Sequence, residues 1–215
     1  MFIVGMDLSG PSNSKETAIV CFEGSSKGDL TLKRALQGAD DNDVLFLARA
    51  LQLQGGELIV GIDAPLSYNA GGGDRQSDAE LRRTVISLGM RPGSVMVPTM
   101  NRMVYLTLRG ISIARLLLAV HAGTRIVEVH PGASMALRGA PVDDVVAFKK
   151  DEKSRWRLLT WLEQQGMKKI TNTMALSDHY VAACASALAA WKWQQNKAAW
   201  ISPAESPLHP FDYAC

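Results

Sequence analysis

The chain has 215 residues, 47% hydrophobic and 20% charged, with 23 Lys+Arg against 21 Asp+Glu for a formal net charge of +2. That length suits one domain of α/β size built on one sizeable core. The charge is too balanced to argue for nucleic acid on charge alone, and it leaves room for a local basic surface.

In chain order, the first expected strand runs Phe2-Ile3-Val4-Gly5-Met6-Asp7 and gives way to a turn, Leu8-Ser9-Gly10. Residues 17–22 read as a second strand rich in β-formers, residues 24–29 as a turn, and residues 30–36 as a third strand. Short turns between three strands imply an antiparallel meander. Asp40-Asp41-Asn42-Asp43 offers a helix N-terminus, and Val44, Leu45, Leu47, Ala48 and Leu51 follow at helical spacing up to Gly55-Gly56. Residues 57–65 form another apolar run ending in an acid, Asp63, and a strand that follows a helical crossover is expected parallel to an earlier one.

A glycine-rich loop at residues 67–73 precedes a helix over residues 78–88 and an irregular stretch over residues 90–99. Residues 101–120 carry a strongly apolar helical pattern with a break expected near Gly110. Residues 125–131 read as a strand with Glu128 inside it, and an irregular or mobile piece to about Asp151 holds Lys149 and Lys150. Helices are expected over residues 152–165 and from Ser177-Asp178 to Trp191, and residues 203–215 as an extended flap or frayed end. With no repeat or low-complexity linker, residues 1–215 form one domain, with a helical insertion around residues 75–122.

The cysteines, Cys21, Cys184 and Cys215, are widely spaced with no CxxC pair, which argues against a disulfide framework or a cysteine zinc site. The chain enters its first strand without a basic leader, and the run at residues 111–120 contains Arg115 and falls short of the ~20 residues a bilayer span needs. A soluble, cytoplasmic protein with no membrane partner is the expectation. The apolar helix would suit a homo-oligomer interface.

A carboxylate at the end of a buried strand is costly unless it is paired, hydrogen-bonded or bound to a metal. Asp7, Asp63 and Glu128 lie on strands expected to be neighbours in one sheet, and Asp178 starts a helix able to pack across it. Ligands in such folds collect at the carboxyl ends of parallel strands. An oxygen-only cluster prefers Mg²⁺ or Mn²⁺, and two such ions suit displacement at phosphorus. Asp7, Asp63 and Asp178 also admit plain readings as turn or helix caps, while Glu128 inside an apolar strand has few structural uses. His130, two residues beyond Glu128, is a candidate general acid/base or metal ligand, and equally a histidine satisfied at a strand end. His179 reads as a surface or capping histidine. Arg75 and Arg82, spaced around Asp78, form an ion-pair ladder or hold a substrate phosphate, and Lys150 in the basic run is a further phosphate candidate.

The order of elements resembles the ribonuclease H-like fold: an α/β mixed sheet, with an antiparallel three-strand meander plus parallel strands, flanked by helices. More narrowly, Gly5-Met6-Asp7-Leu8-Ser9, Ile62-Asp63-Ala64-Pro65-Leu66, the stretch from Arg75 to Arg82, Glu128-Val129-His130-Pro131 and Ser177-Asp178-His179-Tyr180 resemble the DUF429 family of predicted nucleases. The resemblance implies a metal-dependent nuclease acting on nucleic acid, with Asp7, Asp63, Glu128 and Asp178 holding Mg²⁺ or Mn²⁺. The sequence departs from the family where the late helix carries an acid before an alanine, since here those positions are Val181-Ala182. That leaves Asp178 as the late acid, or a site of three acids. The rival readings are a non-catalytic binding module and a phosphotransferase related to actin and sugar kinases. The second lacks room for two lobes.

Overall fold

A computed structural model describes residues 1–25, 28–170 and 172–215. Ser26 and Lys27, from the turn expected at residues 24–29, lie outside the described residues. The meander is β1 (Phe2–Asp7), β2 (Ala18–Gly24) and β3 (Leu30–Gln37), followed by α1 (Asp41–Gln54) and β4 (Leu58–Asp63). Next come α2 (Gln76–Ser87), α3 (Met103–Val120), β5 (Thr124–Val129), α4 (Pro131–Leu137), α5 (Val142–Ala147) and α6 (Glu152–Gln164). The chain closes with β6 (Met167–Lys168), α7 (Asp178–Gln194), β7 (Ile201–Ser202) and β8 (Tyr213–Ala214).

One eight-stranded sheet has the order β6-β3-β2-β1-β4-β5-β8-β7. β2 is antiparallel to β1 and β3, while β4 and β5 continue parallel to β1. This is the mixed α/β sheet expected, arranged as in a ribonuclease H-like fold.

Helices cover both faces. Val4, Met6, Val60 and Ile62 pack with α1 and α3 on one face, and Ile3, Ile59, Val127 and Val129 pack with α7 on the other. α7 is buried from Val181 to Trp191 and rich in alanine, so its backbone approaches the sheet closely. α1 starts as its acids predict. Asp40 accepts hydrogen bonds from the Asn42 and Asp43 backbone, and Asp43 accepts one from the Asp40 backbone.

Several expectations are corrected. α3 runs unbroken through Gly110, where a Cβ would come within 2.9 Å of Ala64 Cβ and of the Pro65 carbonyl, so the glycine admits the chain leaving β4. Residues 131–151 hold two short helices, because Pro131 sets the first turn of α4 and His130 caps it. The tail supplies β7 and β8, and β8 extends the sheet beside β5. Among the described residues, α3 is the one helix long and apolar enough to cross a membrane by length and composition. Its Ile113, Ala114 and Leu117 pack into the core of this structure.

Candidate functional site

β1 and β4 run parallel and in register, so Asp7 stands beside Asp63 at their carboxyl ends. Residues opposite one another in register share a face of the sheet. This pair faces α7, and each carboxyl acts on the protonation of the other. α7 brings two side chains to them from its first turn. His179 Nδ1 lies 2.7 Å from Asp7 Oδ2, and Asp178 Oδ1 lies 3.9 Å from His179 Nε2. All four line a cleft of about 700 Å³, together with Lys149, Arg91 and an apolar wall that includes Met90, Met96 and Phe148.

The turn after β1 is held from below. Buried Arg109 donates from Nη1 to the Ser9 carbonyl (2.9 Å) and Thr17 Oγ1 (2.7 Å), and from Nη2 to the Ala39 carbonyl (3.2 Å). Its Nε donates to Asp41 Oδ1 at 2.9 Å. A charged fork satisfied by carbonyls fixes the chain immediately beyond Asp7.

Glu128 does not join the pair. Ile62, not Asp63, is its partner in register, so its side chain starts from the opposite face, and it borders the same cleft only at the end of β5. At that end of the cleft it is buried and bound by Arg75. Nη1 donates to Oε2 at 2.8 Å and Nη2 to Oε1 at 2.5 Å, while the Leu66 backbone N–H adds a bond at 2.8 Å. Arg75 also donates from Nε and Nη2 to Asp78, at 2.9 and 2.7 Å, and from Nη1 to Ser67 Oγ at 3.0 Å. All five guanidinium N–H groups are thereby used, which removes Arg75 as a direct contact for substrate phosphate.

The other candidates fall out as follows. Arg82 is spent on Asp74 and on the Val95 carbonyl. His130 is held at both ring nitrogens: Nδ1 accepts from the Ala133 backbone at 3.0 Å and Nε2 lies 2.7 Å from the Ser94 carbonyl. That pattern fixes the neutral Nε2–H tautomer, and burial lowers the ring's pKa further, so His130 is a cap with no free nitrogen for a substrate. Lys150 is exposed, and its neighbour Lys149 lines the cleft instead. His179, read as a surface histidine, is the residue that sequence reasoning missed. The one available signal was its place beside Asp178 in the first turn of a helix lying on the acid-bearing strands.

Electrostatics follow from packing. Burial pushes the Asp63 carboxyl well above its ordinary range, and the neighbouring Asp7 charge adds to this. Burial also raises Asp7, with the His179 hydrogen bond opposing it, and that bond raises the His179 imidazole. A group with a raised folded-state pKa contributes stability below its unfolded pKa and loses it as pH rises through the folded value. The chelator-treated protein is therefore expected to lose stability as pH rises from about 4. Urea midpoints at mildly acidic and alkaline pH check this: Asp63→Asn should flatten the decline, and a decline equal to that of the unaltered chain would count against it.

Among the described residues, no group of three or more His, Cys, Asp or Glu side chains is already arranged around a metal position. The donor chemistry of Asp7 and Asp63 nevertheless suits one hard cation, because Mg²⁺ is usually held by one or two carboxylates with water and substrate phosphate completing its shell.

Residues 5–206 match the family model DUF429, described as a protein of unknown function, and the chain belongs to that family. No curated protein and no solved structure matches the chain.

Proposed function

We propose, with membership of DUF429 as the premise, that the protein is a metal-dependent hydrolase of phosphodiester bonds in nucleic acid or nucleotides. The in-register pair Asp7 and Asp63 carries the reading: two partly buried carboxyls on adjacent strand ends, each raised in pKa, facing a cleft. Such a pair stays doubly ionised only with a cation beside it.

Asp7 and Asp63 would hold Mg²⁺ or Mn²⁺, with Asp178 at the rim. Bound there, the ion would acidify a water and neutralise charge on the phosphoryl oxygens. Strand register fixes the spacing of the two carboxylates. The His179 bond orients the Asp7 carboxylate, as outer partners of ligating groups commonly do. His179 is also placed to hold a proton beside that carboxylate. Lys149 and Arg91 supply positive charge at the cleft for non-bridging phosphate oxygens. The wall of Met90, Met96 and Phe148 offers apolar surface to a base.

Labelled single-stranded DNA, RNA and dinucleotides, incubated with Mg²⁺ or Mn²⁺, test the reading. Cleavage that stops on chelation and returns with added metal is the expected result. No cleavage of any of them at neutral or alkaline pH with Mn²⁺ would overturn it.

A further inference from the structure

We infer that the site is a one-ion centre, in which the Arg75 guanidinium permanently occupies the cation position beside Glu128. The inference rests on the reading of Asp7 and Asp63 as the metal-holding pair and goes beyond it by fixing the number of ions and the reason for it.

Glu128 is the acid whose place in an apolar strand pointed most strongly to a metal, yet both its oxygens are already committed. Oε2 accepts from Arg75 Nη1 and from the Leu66 backbone, and Oε1 accepts from Arg75 Nη2. The arginine and both its carboxylate partners are almost fully buried, with side chains 5% or less exposed. A bidentate, desolvated arginine–carboxylate contact is short and directional, and its guanidinium does not lose its charge at any accessible pH. Breaking it for an incoming ion would strand Arg75 beside Asp78 with unused donors in a dry pocket, which is strongly unfavourable.

Register agrees with this. Glu128 stands opposite Ile62, so its side chain starts from the face away from Asp7 and Asp63 and meets the cleft they line at the end of β5, where Arg75 already holds it. Joining a shared ion in that cleft would require Glu128 to give up the Arg75 guanidinium that now holds both its oxygens. Arg75 is thus a positioning residue. It holds Glu128 and, through the Glu128 bond to the Leu66 backbone, the chain leaving β4 next to Asp63. The fixed charge beside Glu128 stands where an exchangeable second ion was expected.

Mn²⁺ bound per chain, counted by equilibrium dialysis and by electron paramagnetic resonance, tests this without reference to turnover. The unaltered protein should bind one ion and show no spin coupling between ions. Glu128→Gln, which leaves Arg75 its bidentate Asp78 partner, should keep that ion with affinity reduced by no more than about tenfold, the low end for a group that does not itself ligate. Arg75→Gln, where it folds, should admit a second, weaker Mn²⁺, because Glu128 and Asp78 are then unpaired; a merely structural arginine would not change the count. Two ions on the unaltered protein, or loss of the ion in Glu128→Gln, would overturn the one-ion centre while leaving the hydrolase reading standing. Absence of any bound Mn²⁺ at millimolar concentration would overturn both.

Discussion

Gly5→Ala is expected to destabilise the protein by more than about 3 kcal/mol, beyond the usual cost of overpacking, because the obstacle is backbone. A Cβ at Gly5 would fall 1.9 Å from the Ala183 carbonyl oxygen and 2.5 Å from the Ala187 nitrogen. Gly61 repeats the arrangement one strand over, with the Ser186 carbonyl oxygen 2.4 Å from the added carbon. Backbone cannot rotate aside as a side chain can, so α7 would have to lift from β1 and β4. That movement would also carry Asp178 and His179 away from Asp7, since both sit in the first turn of the same helix. Urea denaturation measures the loss. Gly10→Ala is the control: nothing lies within 4 Å of its added carbon, and the change should stay within about 0.5 kcal/mol of neutral. A Gly5→Ala protein as stable as the Gly10→Ala control would mean that α7 is not seated on the sheet as described.

Asp7→Asn is expected to lower phosphodiester hydrolysis by about 10³-fold or more, exceeding the 10–100-fold typical of residues that only support a metal ligand. The shape of the side chain is kept and a partly buried charge is removed, so thermal stability should hold or rise in chelated protein. The imidazole of His179 supplies a second readout. Its raised pKa comes first from the Asp7 hydrogen bond, and it should fall towards the ordinary histidine value in the variant, followed by NMR titration. Lost activity with a preserved melting point assigns Asp7 to the chemistry. Joint loss of activity and folding would assign it to the structure, and full activity would remove it from the site.

Much of the fold was legible in the sequence because its signals are local. The Asp40 capping box, the β-rich runs and the helical spacing from Val44 to Leu51 act within a few residues of one another. The misread segments depended on distant partners. The tail becomes strand only because β5 presents an edge to pair with. Residues 131–151 are helical despite their short, unperiodic pattern, since α4 packs on α7 and Asp144 is tied to Ser154 and Arg157 of α6. Gly110 reads as a helix breaker, yet the crossing with the chain after β4 needs a residue without a side chain.

For the site, the sequence by itself determined that acids stand at the ends of apolar strands, and it grouped Asp7, Asp63, Glu128 and Asp178 without separating the pair Asp7 and Asp63 from the others. Which further groups join that pair was decided by register and packing alone. A side chain's face alternates with every residue, so a one-residue offset between β4 and β5 starts Glu128 from the other face and brings it to the edge of the cleft in the grip of Arg75. The close seat of α7 on Gly5 and Gly61 delivers His179 to Asp7 across an interval of 172 residues. Spacing along the chain carries no trace of either, because both follow from how the strands pair and how nearly a helix can approach them.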